Sequence, residues 1–240
     1  FDGHDFVLEI LKRGCRCVVV QRNWFNKNKK QLAALKNKSI IVVKDTVEAI
    51  GKLANIYRSH FVIPVIAVAG SNGKTSTKDF AAHVLSKKYR VLKTEGNLNN
   101  QLGVPLTIFR LNKKHDMAVV EVGTNHFGEV KYLCEILEPQ FGVITNIGKE
   151  HLEFLKSISG AAKAEGELVE HLETVFGTFF LNADDKYLAK YRKSKNIKCV
   201  SFGFGKNAEV NGKILRFNKF YPELQIKYGN KKIKTQLKNI

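Results

Sequence analysis

The stretch "FVIPVIAVAGSNGKTSTKDF", Phe61 to Phe80, decides the fold. Its first half, through Val68, is apolar and rich in β-branched residues, and Gly70 cuts it off. A run of this kind reads as a strand buried in a parallel sheet. From Thr75 the period changes. Phe80, Ala81, Val84 and Leu85 recur at three- and four-residue spacing, which predicts a helix with those residues on its inner face. Strand, glycine turn and helix form the setting in which Gly-Lys-Thr holds phosphate. Gly70 and Gly73 let the backbone turn its N–H groups toward an anion, and the helix N-terminus adds its dipole. In that reading Lys74 reaches the β- and γ-phosphates and the Thr75 hydroxyl takes Mg²⁺. The usual pattern G-x-x-x-x-G-K-[ST] begins with glycine, and here Val68 stands in that place. The alternative at this point is an ordinary strand–turn–helix with a surface lysine.

Outward from this unit, strand candidates fall at 62–69, 117–122, 141–146, 177–182 and 198–202, mostly separated by helical segments. That alternation predicts an α/β fold with a doubly wound, mostly parallel sheet. Residues 1–58 read as part of a small α/β domain. "CRCVVV" (15–20) is its strand. "VEAIGKLANIY" (47–57) is an amphipathic helix, with Asp45 and Glu48 placed as a capping box. Residues 59–240 form the second domain. Near its end "ELQIKYGNKKIKTQL" (223–237) alternates apolar and polar residues around Gly229-Asn230, which predicts a β-hairpin. The chain starts at Phe1 without Met and stops at Ile240 inside a basic, β-like stretch, so both ends read as cuts in a longer protein.

The chain has 240 residues, 44% of them hydrophobic, enough for one large or two small domains with a packed core. Its net charge is +18, but the lysines are spread over "NKNKK", "RKSKNIK" and "NKKIK". No recognition helix or aromatic-interleaved basic motif accompanies them. The charge therefore reads as a solvated surface that favours anionic substrates, and no nucleic-acid partner is expected. Cys15, Cys17, Cys134 and Cys199 lack metal-ligand spacing and suit reduced thiols in a cytoplasmic protein. No apolar span is long enough for membrane insertion, and a monomer is expected.

Ligands of open parallel sheets bind at the carboxyl ends of the strands, and three such ends carry unusual residues. "DMAVVEVGTNHFGE" places Glu121 at the end of an apolar strand, where a carboxylate can ligate Mg²⁺ beside Thr75. A salt-bridged strand end is the alternative. "FGVITNIGKEH" reaches His151, either a functional histidine or a helix cap, and "GTFFLNADD" ends in Asn182, Asp184 and Asp185, which could form only a turn. The helix at 160–172 adds one more signal. Glu165 falls inside the apolar stripe of Ala161, Leu168, Val169 and Leu172. A carboxylate facing inward is costly unless it is paired or holds a metal. Pairing with a surface lysine at the helix edge is the competing reading.

The stretches "FDGHDF" (1–6), "GSNGKTSTKD" (70–79), "GNLNNQLGVPLT" (96–107), "EVGTNHFGE" (121–129), "TNIGKEHLE" (145–153) and "LNADD" (181–185) together resemble the Mur ligases. The first and fourth are similar to the branch that adds D-alanyl-D-alanine. The resemblance covers nearly the whole chain. It implies ATP-dependent amide-bond formation in peptidoglycan synthesis, with UDP-MurNAc-tripeptide and D-Ala-D-Ala as substrates and ATP and Mg²⁺ as cofactors. Residues 1–58 would then belong to the UDP-substrate-binding domain. Gly70, Ser71, Asn72, Gly73, Lys74, Thr75, Ser76 and Asn182 would bind ATP. Thr75 and Glu121 would hold one Mg²⁺, and His151 would help hold a second. Lys74, His151 and Glu165 would carry the catalysis. Asn97, Asn99, Asn100 and Gln101 match the family's peptide-substrate segment, where neutral donor–acceptor side chains can fix amides.

Two features depart from the family. Fourteen residues after the motif histidine the family usually has a carbamylated lysine; here that position is Glu165. Glu165 either replaces the carbamate as a ligand of the second Mg²⁺ or marks an impaired site. The family's C-terminal domain, which closes over ATP and the incoming amine, has no counterpart in these residues. Another ligase of the superfamily, such as a meso-diaminopimelate- or lysine-adding enzyme or folylpolyglutamate synthase, is a second reading. A degenerate nucleotide-binding or scaffolding protein is a third.

Overall fold

The computed structural model describes residues 2–218 and 221–236. Phe1 of the "FDGHDF" stretch, Lys219, Phe220, and 237–240 with the last residue of the expected hairpin lie outside them. The chain divides into two compact units, Phe1–Leu53 and Ala54–Ile240.

In the first unit a 3₁₀ turn (Gly3–Phe6) leads into α1 (Val7–Lys12), β1 (Cys17–Gln21), α2 (Arg22–Ala33), β2 (Ser39–Val43) and the start of α3 (Thr46–Ser59). β1 and β2 pair in parallel, with Val18 opposite Ile40 and Val20 opposite Val42. Their inward residues meet Val7, Leu11 and Leu32 in a small core. β2, "SIIVV", is a strand that the sequence reading did not single out. Asp45 caps α3 by accepting the amides of Val47 (2.8 Å) and Glu48 (2.9 Å). The Glu48 carboxylate, expected to complete a capping box, pairs with Lys52 at 2.5 Å.

The second unit runs β3 (Val65–Ala69), α4 (Lys74–Leu85), β4 (Val91–Lys93), α5 (Gly103–Ile108), β5 (Met117–Glu121), α6 (Glu129–Leu137) and β6 (Phe141–Ile144). It continues through α7 (Leu152–Leu155), α8 (Ile158–Thr174), β7 (Thr178–Asn182), a 3₁₀ turn (Ala189–Lys193), β8 (Lys198–Gly203), β9 (Val210–Asn218), β10 (Tyr221–Tyr228) and β11 (Lys231–Gln236). All the strands join one sheet in the order β11-β10-β9-β8-β7-β6-β3-β5-β4. From β4 to β9 neighbouring strands are parallel. β10 and β11 then run antiparallel, turning at Gly229-Asn230 as the sequence predicts. β3 lies at the switch point between β5 and β6. Alternate residues of β3 serve opposite faces. Val65, Ala67 and Ala69 pack with residues of α5, α6 and α8, while Val68 packs with Ala82 and Val119. The fold is thus the doubly wound, mostly parallel α/β sheet expected.

Three local differences matter for the site. The strand expected from 62 starts at Val65, and Val62 is fully exposed. The short β4 and the long β9 did not stand out in the pattern. Of the expected inner residues of α4, Ala81 and Leu85 are half-buried against the core, but Phe80 and Val84 are 45% and 68% exposed, while Lys78 and Ala82 are buried. The cause is helix phase. The loop fixes the first turn of α4, and every fourth residue from Lys74 then faces the same way. Among the described residues no helix is long and apolar enough to cross a membrane.

Candidate active site

The Gly70–Gly73 loop leaves the carboxyl end of β3. Gly70 has φ +115°, and a Cβ on it would fall 2.3 Å from Thr145 Oγ1 and 2.8 Å from the Thr145 amide nitrogen. Gly73, at φ +78°, is the left-handed residue from which α4 starts. Only glycine takes both positions without strain. The loop is then stapled to the segment after β6. The Ser71 amide donates to the Asn146 carbonyl (2.9 Å) and the Asn72 amide to Asn146 Oδ1 (3.2 Å). The Asn72 carbonyl accepts from Thr145 Oγ1 (2.6 Å) and Asn146 Nδ2 (2.9 Å). The Gly70 amide donates to Glu165 Oε2 at 2.8 Å. This corrects one expectation: the amides of Gly70, Ser71 and Asn72 are committed to the protein itself and do not point at an anion. The free donors are the opening amides of α4, which have no intrahelical acceptor. Thr75 and Ser76 stand exposed there. Lys74 folds back over the loop, its Nζ donating to the carbonyls of Gly70 (2.5 Å) and Ser71 (3.5 Å).

Glu121 ends β5 in register with Val68, one strand away from the loop. It is 2% exposed. Its Oε1 accepts from Asn99 Nδ2 at 2.8 Å, and its Oε2 is buried with no hydrogen-bond partner. A buried carboxylate oxygen without a donor is costly. A hard cation would satisfy it, so this donor set fits Mg²⁺, which commonly takes one or two carboxylates plus phosphate oxygens. Among the described residues no three His, Cys, Asp or Glu side chains could hold a metal without such help.

Glu165 is fully buried on the inner face of α8, as its place in the apolar stripe predicts. One oxygen holds the Gly70 amide; the other, Oε1, is unpartnered. Its pKa is pushed up to about 8, first by burial and then by the neighbouring Glu150 carboxylate, with Lys74 and the Gly70 amide pulling the other way. Glu150 was not foreseen. It accepts from Ser71 Oγ at 2.7 Å and lies 4.0 Å from Lys74 Nζ, while Ser71 Oγ accepts from the Gly148 amide (2.8 Å). The one available signal was a carboxylate directly before His151 in a strand-end segment. His151 itself is exposed, with φ +42°, at the head of the short α7.

Most of the remaining candidates are occupied locally. Asn182 donates to the Thr145 carbonyl (2.7 Å) and accepts from the Asp184 amide (3.0 Å), so it ties β7 to the loop after β6. Asn100 Oδ1 accepts the amides of Leu102 (3.1 Å) and Gly103 (2.9 Å) where α5 begins. Gln101 donates to Glu129 at 3.2 Å. Asn97 is exposed. Asn99 is the member of this segment that reaches the Glu121 carboxylate.

Residues 68–239 match the Mur ligase middle domain family. The chain is similar to the UDP-N-acetylmuramoyl-tripeptide–D-alanyl-D-alanine ligase of Haemophilus influenzae, at 35% identity over 211 residues, which is 86% of this chain and 44% of that protein. It thus spans less than half the length of that relative. The crystal structure of MurF from Acinetobacter baumannii superposes with a TM-score of 0.87 at 30% identity, over 99% of this chain and 50% of that one. MurF from Thermotoga maritima, solved in complex with ADP, superposes with a TM-score of 0.85 at 26% identity, over 98% of this chain and 52% of that one.

Proposed function

The chain belongs to the Mur ligase family, and from that premise we propose that it forms the nucleotide-binding part of an ATP-dependent ligase that adds D-Ala-D-Ala to UDP-MurNAc-tripeptide. The observation that carries the reading is the buried, unpartnered Glu121 Oε2, which ends the strand next to the phosphate loop. A buried carboxylate oxygen without a donor from the chain calls for an outside partner, and a metal ion beside the phosphate loop supplies one.

In this reaction the γ-phosphoryl group of ATP passes to the tripeptide carboxylate and gives an acyl phosphate. The amine of D-Ala-D-Ala attacks the acyl carbon, loses a proton, and inorganic phosphate leaves. Such chemistry needs alignment and charge stabilisation more than a covalent nucleophile. The opening amides of α4 hold phosphate oxygens. Lys74 leaves the loop carbonyls to follow charge onto the transferring group. Thr75 and Glu121 would hold one Mg²⁺, and His151 with the free oxygen of Glu165 a second. Bound by these residues, a metal would neutralise charge on the phosphate oxygens. Because Glu165 also holds the Gly70 amide, it fixes the loop from beneath while presenting one oxygen.

The test is phosphate release by the full-length protein. Release from ATP is expected only with both UDP-MurNAc-tripeptide and D-Ala-D-Ala present. Equal turnover with D-Glu or meso-diaminopimelate, on an acceptor one or two residues shorter, would move the protein to another branch of the family.

A further inference from the structure

The most deeply buried cation of α4 is Lys78, one turn after Lys74. It is 2% exposed and is among the largest fully buried side chains of the chain. An ammonium in such a place is costly unless its N–H groups find fixed partners. Its Nζ donates to the Thr94 carbonyl at 2.9 Å and lies 3.3 Å from Asp79 Oδ1, which is also held by Lys93 at 2.6 Å.

Thr94 follows the last residue of β4 and is itself fully buried. Its amide donates to the Val119 carbonyl (3.2 Å), and its Oγ1 accepts the Glu121 amide (2.9 Å). Glu121 in turn accepts from Asn99. A continuous chain of bonds therefore runs from Lys78 through Thr94 to the backbone of Glu121, and on to Asn99. We propose that Lys78 is a positioning residue for Glu121. Without its ammonium the Thr94 carbonyl is a buried acceptor lacking a donor. Thr94 must then turn or admit water, and the Oγ1 anchor on the Glu121 amide is lost. The free carboxylate oxygen is then no longer held in one place.

This inference rests on the reading of Glu121 as a metal ligand, and its test separates the two. Mn²⁺ replaces Mg²⁺, and its binding to the full-length protein with a non-hydrolysable ATP analogue is titrated by water-proton relaxation. Lys78→Met keeps the length and removes the charge. Thr94→Val removes the Oγ1 acceptor in the same shape, and carries the test if Lys78→Met does not fold. Each should weaken Mn²⁺ by about 10-fold or more, the usual loss when an outer-shell partner of a metal ligand is removed. Lys78→Arg should restore most of it. Wild-type Mn²⁺ affinity in both Lys78→Met and Thr94→Val, with binding lost in Glu121→Gln, would overturn the positioning role and leave the metal ligand standing. Wild-type affinity in Glu121→Gln would remove the ligand and the proposal together.

Discussion

Helices α4 and α8 contribute to cores on opposite faces of the same sheet, and each buries one ionisable side chain, Lys78 and Glu165. The two charges differ in how they came to be inside. On α8 the apolar residues Ala161, Leu168, Val169 and Leu172 set the helix phase, and Glu165 is carried inward with them. On α4 the phosphate loop sets the phase; Ala81 and Leu85 still pack on the core, but Phe80 and Val84 are turned outward. A helix anchored at one end by a binding loop can therefore turn part of its apolar stripe away from the sheet, whereas one docked along its length cannot.

The largest expected effect tests the anchored end. Lys74→Ala removes the cation proposed to follow the transferring charge, so turnover should fall on the order of 10²-fold or more, with the fold kept by circular dichroism. Near-wild-type rates would take the loop out of catalysis, and with it the reason for the odd phase of α4.

Next is Gly70→Ala, where both helices meet the loop. The new methyl would fall on Thr145 at a positive φ of +115°. Strain of this kind costs about 1–3 kcal/mol, read as a lower urea midpoint at unchanged slope. An unaltered midpoint would mean that the loop is not held as rigidly as its bonds to Asn146 and Glu165 imply.

Glu165 sharpens the α8 side. Its pKa rises from 4.5 to about 8 in the folded chain, so folding favours the neutral acid. That contribution is complete below the unfolded value of 4.5 and is lost as pH rises through about 8. Glu165→Gln cannot titrate. Its Tm relative to wild type should climb across that window and level off above it, by roughly 2–4 °C per kcal/mol. The same variant should need more Mg²⁺ for turnover, and wild-type activity should not respond to bicarbonate. Superimposable magnesium curves would leave Glu165 as a strap on Gly70 and nothing more.

The smallest effect belongs to the outward face of α4. Val84→Lys should change the stability of this chain by under about 0.5 kcal/mol in the same urea titration. A loss of several times that would mean that the outward apolar face does structural work.

The legible part of the molecule is the part built from local signals. β3, the Gly70–Gly73 turn, the end of β5 at Glu121 and the inward Glu165 all follow from period and punctuation. So does the hairpin at Gly229-Asn230. β4 was missed because its three residues carry too little pattern, and β9 because three half-buried residues are followed by six exposed ones, with no alternation to mark a strand. Lys78, Thr94 and Glu150 were not legible for another reason. Each gains its role from a partner distant in sequence, and a lysine, a threonine and a glutamate in isolation read as surface. The family resemblance located Asn97–Gln101, but only the structure links Asn99 to Glu121 and turns Asn100 toward the chain's own amides.

The order of the sheet has a colloidal consequence. Among the described residues one border is β4, only three residues long, and the other is β11. A bare strand border offers its unpaired N–H and C=O groups to any copy that drifts past. The neighbouring surface is sticky as well, since Ile214, Phe217, Tyr228 and Ile233 are exposed on the last three strands. β11 carries Lys231, Lys232 and Lys234, all exposed. Two such borders brought together would set lysine against lysine. Among the described residues, part of the +18 net charge thus lies where it would oppose the stacking of one such border on another.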